Sequence, residues 1–345
     1  MTSEGGSDAD PLDLFEDALL TIFDERMPAA GDPGQRISFS HPALPTPASS
    51  ISYHIPNVHA RSTHLFAHHQ WDSGVLLARM IAESSSSASP SGSDEDQQEY
   101  GYPAADIRGQ TVVELGAGTG LPGLVAGLLG AKMVLITDYD DPPLIDTIKS
   151  NIASVCPKHE KMCGMGLTWG SDDHVRRALS AFGEEDGRSG FSRVLAADTL
   201  WVSSAHDVLL QTMRSLLSQT LDARILMLAG FHTGRPAISR FFQLAAGELA
   251  STDGDNKSQQ ATSEGILVPD WEDPKYGGIW ERRIDGQTRA WQGVRPRAWT
   301  RTSEASDKSQ PANDTTIAEH DEEMGEISER AKWIVCASLR WSHLQ

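Results

Sequence analysis

The stretch Val112-Val-Glu114-Leu-Gly116-Ala-Gly118-Thr-Gly120-Leu-Pro-Gly123 decides the fold. An apolar strand ends on a carboxyl residue and breaks into a glycine-rich turn that opens a helix, which is a nucleotide-binding βα turn. Glycines at 116, 118 and 120 allow positive φ and close approach of a ligand to the backbone, and free N–H groups at the helix start offer hydrogen bonds. The spacing alone leaves the ligand open, because Gly118-Thr-Gly120-Leu-Pro-Gly123 also satisfies the dinucleotide pattern G-x-G-x-x-G.

Two acids bear on that ambiguity. The next apolar run, Met133-Val-Leu-Ile-Thr137, ends at Asp138, about 20 residues beyond the turn, where a βαβ unit presents an acid to a ribose diol. Dehydrogenases and methyltransferases both use that device. Glu114 separates them: a carboxylate beside the turn repels a pyrophosphate but suits S-adenosylmethionine, which carries a sulfonium and an ammonium and no phosphate.

The rest of the core alternates strand and helix, which predicts a parallel sheet built by right-handed crossovers. Strands are expected near 111–115, 133–137, 164–168, 191–197 and 224–229, and helices near 121–129, 142–153, 172–181, 205–219 and 236–250. Gly265–Ile284 and Lys332–Leu339 read as two long strands. Ahead of the core, Leu65–Ala82 has helical apolar spacing with Asp72 or Ser73 as an internal cap, so Trp71 falls at a helix start. Ile51-Ser-Tyr-His-Ile55 alternates like a short strand suited to a hairpin.

Glu-Leu-Gly-Ala-Gly-Thr-Gly resembles the first motif of class I, seven-stranded S-adenosylmethionine-dependent methyltransferases. Leu65-Phe-Ala-His-His-Gln-Trp71-Asp-Ser-Gly74 is similar to the pre-core segment of the family-16 methyltransferases, the lysine methyltransferase-like 21 group. Gly166-Leu-Thr-Trp169-Gly170 resembles their adenine-contacting motif, and Ala196-Ala197-Asp198-Thr-Leu-Trp201 stands where they have D-x-x-Y, with tryptophan in place of tyrosine. Asp138-Tyr-Asp-Asp-Pro142 and Gly230-Phe-His-Thr-Gly-Arg235 look closest to a fungal branch called nicotinamide N-methyltransferase-like, or N-terminal and lysine methyltransferases of translation elongation factor 1-alpha.

The resemblance implies an α/β fold: a Rossmann-like seven-stranded sheet, mostly parallel with an antiparallel last strand, and helices on both faces. It implies residues 51–345 as one methyltransferase domain, with polar insertions at about 83–103, 252–263 and 302–328. Residues 1–50 form an N-terminal extension, partly disordered, with a helix near 12–26.

Ligands of an open parallel sheet sit at the carboxyl ends of its strands. The cofactor-binding candidates are therefore Trp71, Glu114, Gly116, Ala117, Gly118, Gly120, Asp138, Tyr139, Trp169 and Ala197, and the catalytic candidates are Asp198 and Trp201. Asp138 is expected on the ribose hydroxyls, unless it caps the following helix. Tyr139 and Trp169 would flank the adenine. For an amine acceptor, Asp198 would accept an N–H and orient the lone pair while Trp201 walls the channel by cation–π contact; a loop-ordering role for Asp198 stands beside this. His232 is placed either in the acceptor pocket or in a surface or capping role. His64 and His68 lie one helical turn apart without a recognisable third ligand, so no metal is assigned.

Lys+Arg 29 against Asp+Glu 48 gives a net charge of −19, which disfavours nucleic acid and favours a basic protein partner. Three cysteines without metal spacing point to a reducing compartment. With no signal-peptide pattern and no apolar run of membrane length, the expectation is a cytoplasmic monomer without membrane association. The function expected is S-adenosylmethionine-dependent methylation of a protein amine, plausibly on elongation factor 1-alpha. The alternatives are a nicotinamide N-methyltransferase, a dehydrogenase on the same glycine turn, and a non-catalytic cofactor-binding module.

Overall fold

A computed structural model describes residues 29–57, 67–85, 102–157, 161–181, 190–249, 265–270, 277–299 and 332–344. The helix expected near 12–26, His64, and most of the three polar insertions lie outside the described residues.

The elements follow in chain order: β1 (Ala29–Ala30), β2 (Arg36–Ser40), β3 (Ser50–His54), β4 (Gln70–Trp71), α1 (Asp72–Ser85), β5 (Thr111–Leu115), α2 (Leu121–Leu128), β6 (Met133–Asp138), α3 (Pro142–Val155), β7 (Met162–Gly166) and α4 (Asp172–Ser180). Then come β8 (Arg193–Ala197), α5 (His206–Leu216), β9 (Arg224–Gly230), α6 (Gly234–Ala245), β10 (Leu267–Pro269), β11 (Ile279–Arg283), β12 (Thr288–Ala290) and β13 (Trp333–Trp341).

The main sheet runs β12-β11-β13-β9-β8-β5-β6-β7, with β10 also paired to β13. The five strands β7-β6-β5-β8-β9 are mutually parallel. β13 inserts antiparallel between β9 and β11, with Ile334 opposite Gly230 and Arg282 opposite Ile334. The expected Rossmann-like sheet with one antiparallel closing strand is therefore present, extended at its edge by β12 and β10. The order reverses at β5/β8, so their carboxyl ends open a crevice, the topological switch point where ligands of such sheets bind.

Near-continuous apolar strands such as Val134-Leu-Ile136 and Arg224–Gly230 are buried on both faces, as a parallel sheet requires. Alternate residues serve two cores. Val112, Val134, Ile136 and Leu195 pack with α1, α2 and α3. Val113, Leu115, Leu135 and Val194 pack with α4, α5 and α6.

Three differences from the sequence expectations have local causes. α1 runs on through Glu83–Ser85, because Ser85 is buried and its hydroxyl accepts the Ile107 N–H. Gly265–Ile284 is not one strand: β10 ends at Pro269, and Gly277 and Gly278, both at positive φ, precede β11. Residues 29–50, placed in the N-terminal extension, form β1 on β4 and the strand β2, which pairs in a hairpin with β3 where the sequence predicts a short strand at 51–55.

Candidate active site

The crevice holds a cavity of about 460 Å³ walled by the ends of β4, β5, β6 and β8, by the turns that follow them, and by Ala205 and Val208. Eleven of the twelve sequence-predicted site residues line it: Trp71, Glu114, Gly116, Ala117, Gly118, Asp138, Tyr139, Trp169, Ala197, Asp198 and Trp201. The twelfth, Gly120, does not. It sits at φ +80° before α2, and a Cβ there would meet the Ile136 side chain at 3.2 Å, so this glycine serves backbone conformation and packing.

The glycine turn is held from below. Glu114 is fully buried and its Oε2 accepts the Gly123 N–H at 2.8 Å. A Cβ at Gly123 would lie 2.7 Å from that oxygen, so the third glycine of the dinucleotide-like pattern is required by helix–strand packing here. Burial pushes the Glu114 carboxyl up to about 8, with the Gly123 N–H working the other way. Burial thus favours the neutral form of Glu114, and its Oε2 braces the turn from the cavity wall.

Asp138 ends β6 with both oxygens on backbone amides, Oδ2 accepting Gly118 N–H and Oδ1 accepting Tyr139 N–H, each at 2.6 Å. Burial raises its carboxyl to about 6 against those two bonds. It does not cap α3, whose N-cap is Asp141. Tyr139 is 47% exposed and stands at the cavity mouth.

Trp169 is presented by a pinned turn. Leu167 N–H donates to Asp138 C=O, Thr168 N–H to His174 Nδ1, and Gly170 N–H to Thr212 Oγ1. The indole lies over the glycine turn, 3.3 Å from where a Gly116 Cβ would be. Trp71, at the end of β4 just before α1, lines the cavity as well. Trp201, after β8, lines the same cavity.

Asp198 is the singular group. It follows β8 in a left-handed conformation, φ +59°, and is buried. His232 Nε2 lies 3.1 Å from both Asp198 oxygens, and Gly230 N–H donates to Oδ1 at 3.0 Å. Burial alone would raise this carboxyl, but the His232 charge and hydrogen bond, Gly230 N–H and Ser73 together hold it below the usual carboxylate range. The same pairing raises His232 despite its burial. The His232 ring also meets Trp71 edge-on, with centroids 5.1 Å apart. The histidine is therefore neither a cavity wall nor a helix cap; it stands behind Asp198 and Trp71 and fixes both. Sequence reasoning left it open because β8 and β9, which bring residues 198 and 232 together, are adjacent only in the sheet.

The cavity suits S-adenosylmethionine. No lysine or arginine lines it among the described residues, and the Gly118 N–H that a pyrophosphate would need already serves Asp138. At Gly118 a Cβ would find its nearest atom 3.9 Å away, so the glycine leaves open a cradle for a ligand. Thr199 Oγ1 is buried beside the cavity without a hydrogen-bond partner among the described residues. Asp138 has lone pairs left for a ribose diol, and the Asp198 carboxylate matches a cationic ligand. Among the described residues no three His, Cys, Asp or Glu side chains are grouped to hold a metal ion.

Fold and cavity together have the form of the Rossmann-like, S-adenosylmethionine-dependent methyltransferase class. More particularly, the chain belongs to the lysine methyltransferase family, whose pattern it matches over residues 57–247. It is 29% identical over 188 residues to the protein N-terminal and lysine N-methyltransferase efm7 of Schizosaccharomyces pombe, covering 53% of this chain and 64% of that one. It is 33% identical over 196 residues to the protein of the same name from Eremothecium gossypii, covering 54% and 63%. The matches thus span less than two thirds of these relatives. Among solved structures, an O-methyltransferase family protein from Burkholderia thailandensis aligns at 16% identity and TM-score 0.32, over 54% of this chain and 47% of that one.

Proposed function

We propose that this chain transfers a methyl group from S-adenosylmethionine to an amine of a protein, either a lysine side chain or an N-terminal α-amine. One observation carries the reading: a carboxylate 3.1 Å from a histidine, in a cavity with aromatic walls and, among the described residues, without lysine or arginine. Such a cavity attracts an amine, whose N–H groups the carboxylate accepts and whose cationic form the indole of Trp201 favours.

S-adenosylmethionine supplies a methyl carbon on a sulfonium, open to in-line displacement. What remains for the protein is to place a neutral nitrogen lone pair on that line and to keep water out. Asp198, held below the usual carboxylate range, is a weak base; it orients the amine by accepting an N–H, and the ammonium proton leaves to solvent beforehand. Trp201 walls the acceptor side, the part for which the related family has tyrosine. Asp138, Tyr139, Trp169, Trp71 and the turn Gly116–Gly120 hold the cofactor.

The net charge of −19 favours a basic protein as the acceptor, and elongation factor 1-alpha is the candidate that family resemblance names. A cytoplasmic monomer is part of this reading. No helix of the described residues is long and apolar enough to cross a membrane.

The test incubates the purified chain with methyl-labelled S-adenosylmethionine, a lysate from cells lacking the endogenous enzyme, purified elongation factor 1-alpha and nicotinamide, and separates protein from small-molecule label. Label in a discrete protein band, hydrolysing to methyl-lysine or an N-methylated first residue, is the expected result. Label confined to methylnicotinamide would replace the protein acceptor with a small one, and cofactor binding without label anywhere would leave a binding module.

A further inference from the structure

The segment ahead of the family match, residues 29–55, touches the cofactor turn from two directions. On one side β1 pairs with β4, Ala29 opposite Trp71 and Ala30 opposite Gln70, and His69 Nδ1 lies 2.8 Å from the Gly31 carbonyl. Gln70 Oε1 in turn accepts the Thr119 hydroxyl at 2.6 Å. Thr119 stands between Gly118 and Gly120 in the turn, and both Gln70 and Thr119 are buried on the cavity wall.

On the other side β3 reaches the same threonine through α3. Asn151, fully buried, uses its amide as a strand would use its backbone: Oδ1 accepts His54 N–H at 2.8 Å and Nδ2 donates to His54 C=O at 2.9 Å. Its second N–H donates to the Thr119 carbonyl at 3.0 Å. The two ends of the segment are joined to each other. Gly34 N–H donates to Ile55 C=O, Ile55 N–H donates to Gln35 C=O, and Gly31 at φ +79° packs so closely on Ile55 that a Cβ would lie 2.3 Å from its Cδ1.

We infer that residues 29–55 are a strap that positions the cofactor turn, and that Asn151 is the positioning residue through which the strap acts. Thr119 is clamped at its hydroxyl through β4 and at its carbonyl through Asn151, and both clamps lead back to one N-terminal segment. Removing either lets the turn depart from the geometry in which Gly116 and Gly118 face the ligand. Affinity for S-adenosylmethionine then falls even while the sheet stays folded.

The experiment titrates S-adenosylmethionine into the full chain by calorimetry, with no acceptor present. Asn151→Ala breaks the α3 clamp, and Gly31→Val breaks the strap at a point remote from the cavity. Each is expected to raise Kd about tenfold, the equivalent of roughly 1.4 kcal/mol. Asp270→Asn serves as the control lesion: it weakens the buried Arg224–Asp270 pair at the amino ends of the strands, lowering Tm with parental Kd. Hydrogen exchange in the unmutated chain is the second measurement, since S-adenosylmethionine should slow exchange of the Ile51–Ile55 amides. Parental affinity in folded Asn151→Ala overturns the assignment. If that variant does not fold, the absence of ligand-dependent protection at Ile51–Ile55 overturns it instead.

Discussion

Asp138 and Asp198 occupy equivalent places at the carboxyl ends of two parallel strands, both buried and both facing one cavity, yet they hold their protons oppositely. Two backbone amides satisfy Asp138, and burial still lifts its carboxyl to about 6. Asp198 has one backbone amide, the Ser73 side chain and His232, and its carboxyl falls below the ordinary range. Glu114, beside them, has a single amide and rises to about 8. Neutral donors offset part of the desolvation cost of a buried carboxylate, whereas a histidine at hydrogen-bond distance, in its protonated form, outweighs it. The series also divides the labour: a carboxyl that titrates near neutrality suits a hydroxyl-bearing ribose, and one that stays charged suits an amine.

The strongest way to break this division is to remove each carboxyl in turn. Asp198→Ala is expected to lower kcat by about 10²-fold or more, the scale of a positioned polar group at the reacting atom, and to leave the S-adenosylmethionine Kd near its parental value. Asp138→Ala should raise that Kd about 10- to 100-fold, as loss of charge-assisted hydrogen bonds implies, and leave turnover at saturating cofactor largely intact. Calorimetry with single-turnover transfer reads both. Parental transfer by Asp198→Ala would reduce Asp198 to a loop-ordering residue, the role suggested by its left-handed backbone and its Gly230 bond.

A smaller change should turn Asp198 into a residue of the Asp138 kind. In His232→Gln the amide still donates a hydrogen bond but carries no charge. With an opposite charge within 4–6 Å worth about one to three pK units, the acidic limb of the rate–pH profile should move up by at least about one unit. The S-adenosylmethionine Kd should rise modestly as well, because the edge contact that fixes Trp71 is lost. An unmoved acidic limb would mean that the charge of His232 does not govern Asp198. The sign follows from the pair: lowering pH in the parent protonates Asp198 only below its ordinary range, whereas in the variant burial is no longer opposed by a cation.

How much of this was legible depends on whether a contact is local. The turn at 116–123, the acid at 138 and the strand–helix alternation are short-range signals, and the cavity gathers eleven of the twelve residues they named. Gly120 was read as lining because a spaced-glycine pattern does not distinguish a glycine that faces a ligand from one that faces Ile136. Glu114 favoured the right cofactor class through its charge, whereas burial favours its neutral form, and what the structure shows is a brace for Gly123. The pairing of His232 with Asp198, the part of Asn151 and the link from residues 29–55 to the turn were illegible for another reason. Two-residue strands such as β1 and β4 have no periodicity, and partners 34, 32 or 97 residues apart meet only once the sheet has formed.

The mildest change tests the uncharged end of the series. Glu114 has a folded-state carboxyl at about 8 against an ordinary value of 4.5, so the folded chain holds that proton more tightly than the unfolded chain does. Its charge therefore costs nothing below the unfolded value, and the penalty builds as pH rises between the two values, at a slope of up to about 1.4 kcal/mol per pH unit from this one group. Glu114→Gln keeps an oxygen for the Gly123 N–H and has no charge to bury. The variant should match the parent near pH 5 and exceed it in Tm by a margin that widens up to about pH 8 and then stays constant. Thermal unfolding of the unliganded chain across pH 5–9 reads this directly. Parallel Tm curves for the two proteins would mean that Glu114 is ionised in the folded chain, placing it with Asp198 rather than beyond Asp138 and making its charge, as first read from the sequence, available to a cationic cofactor.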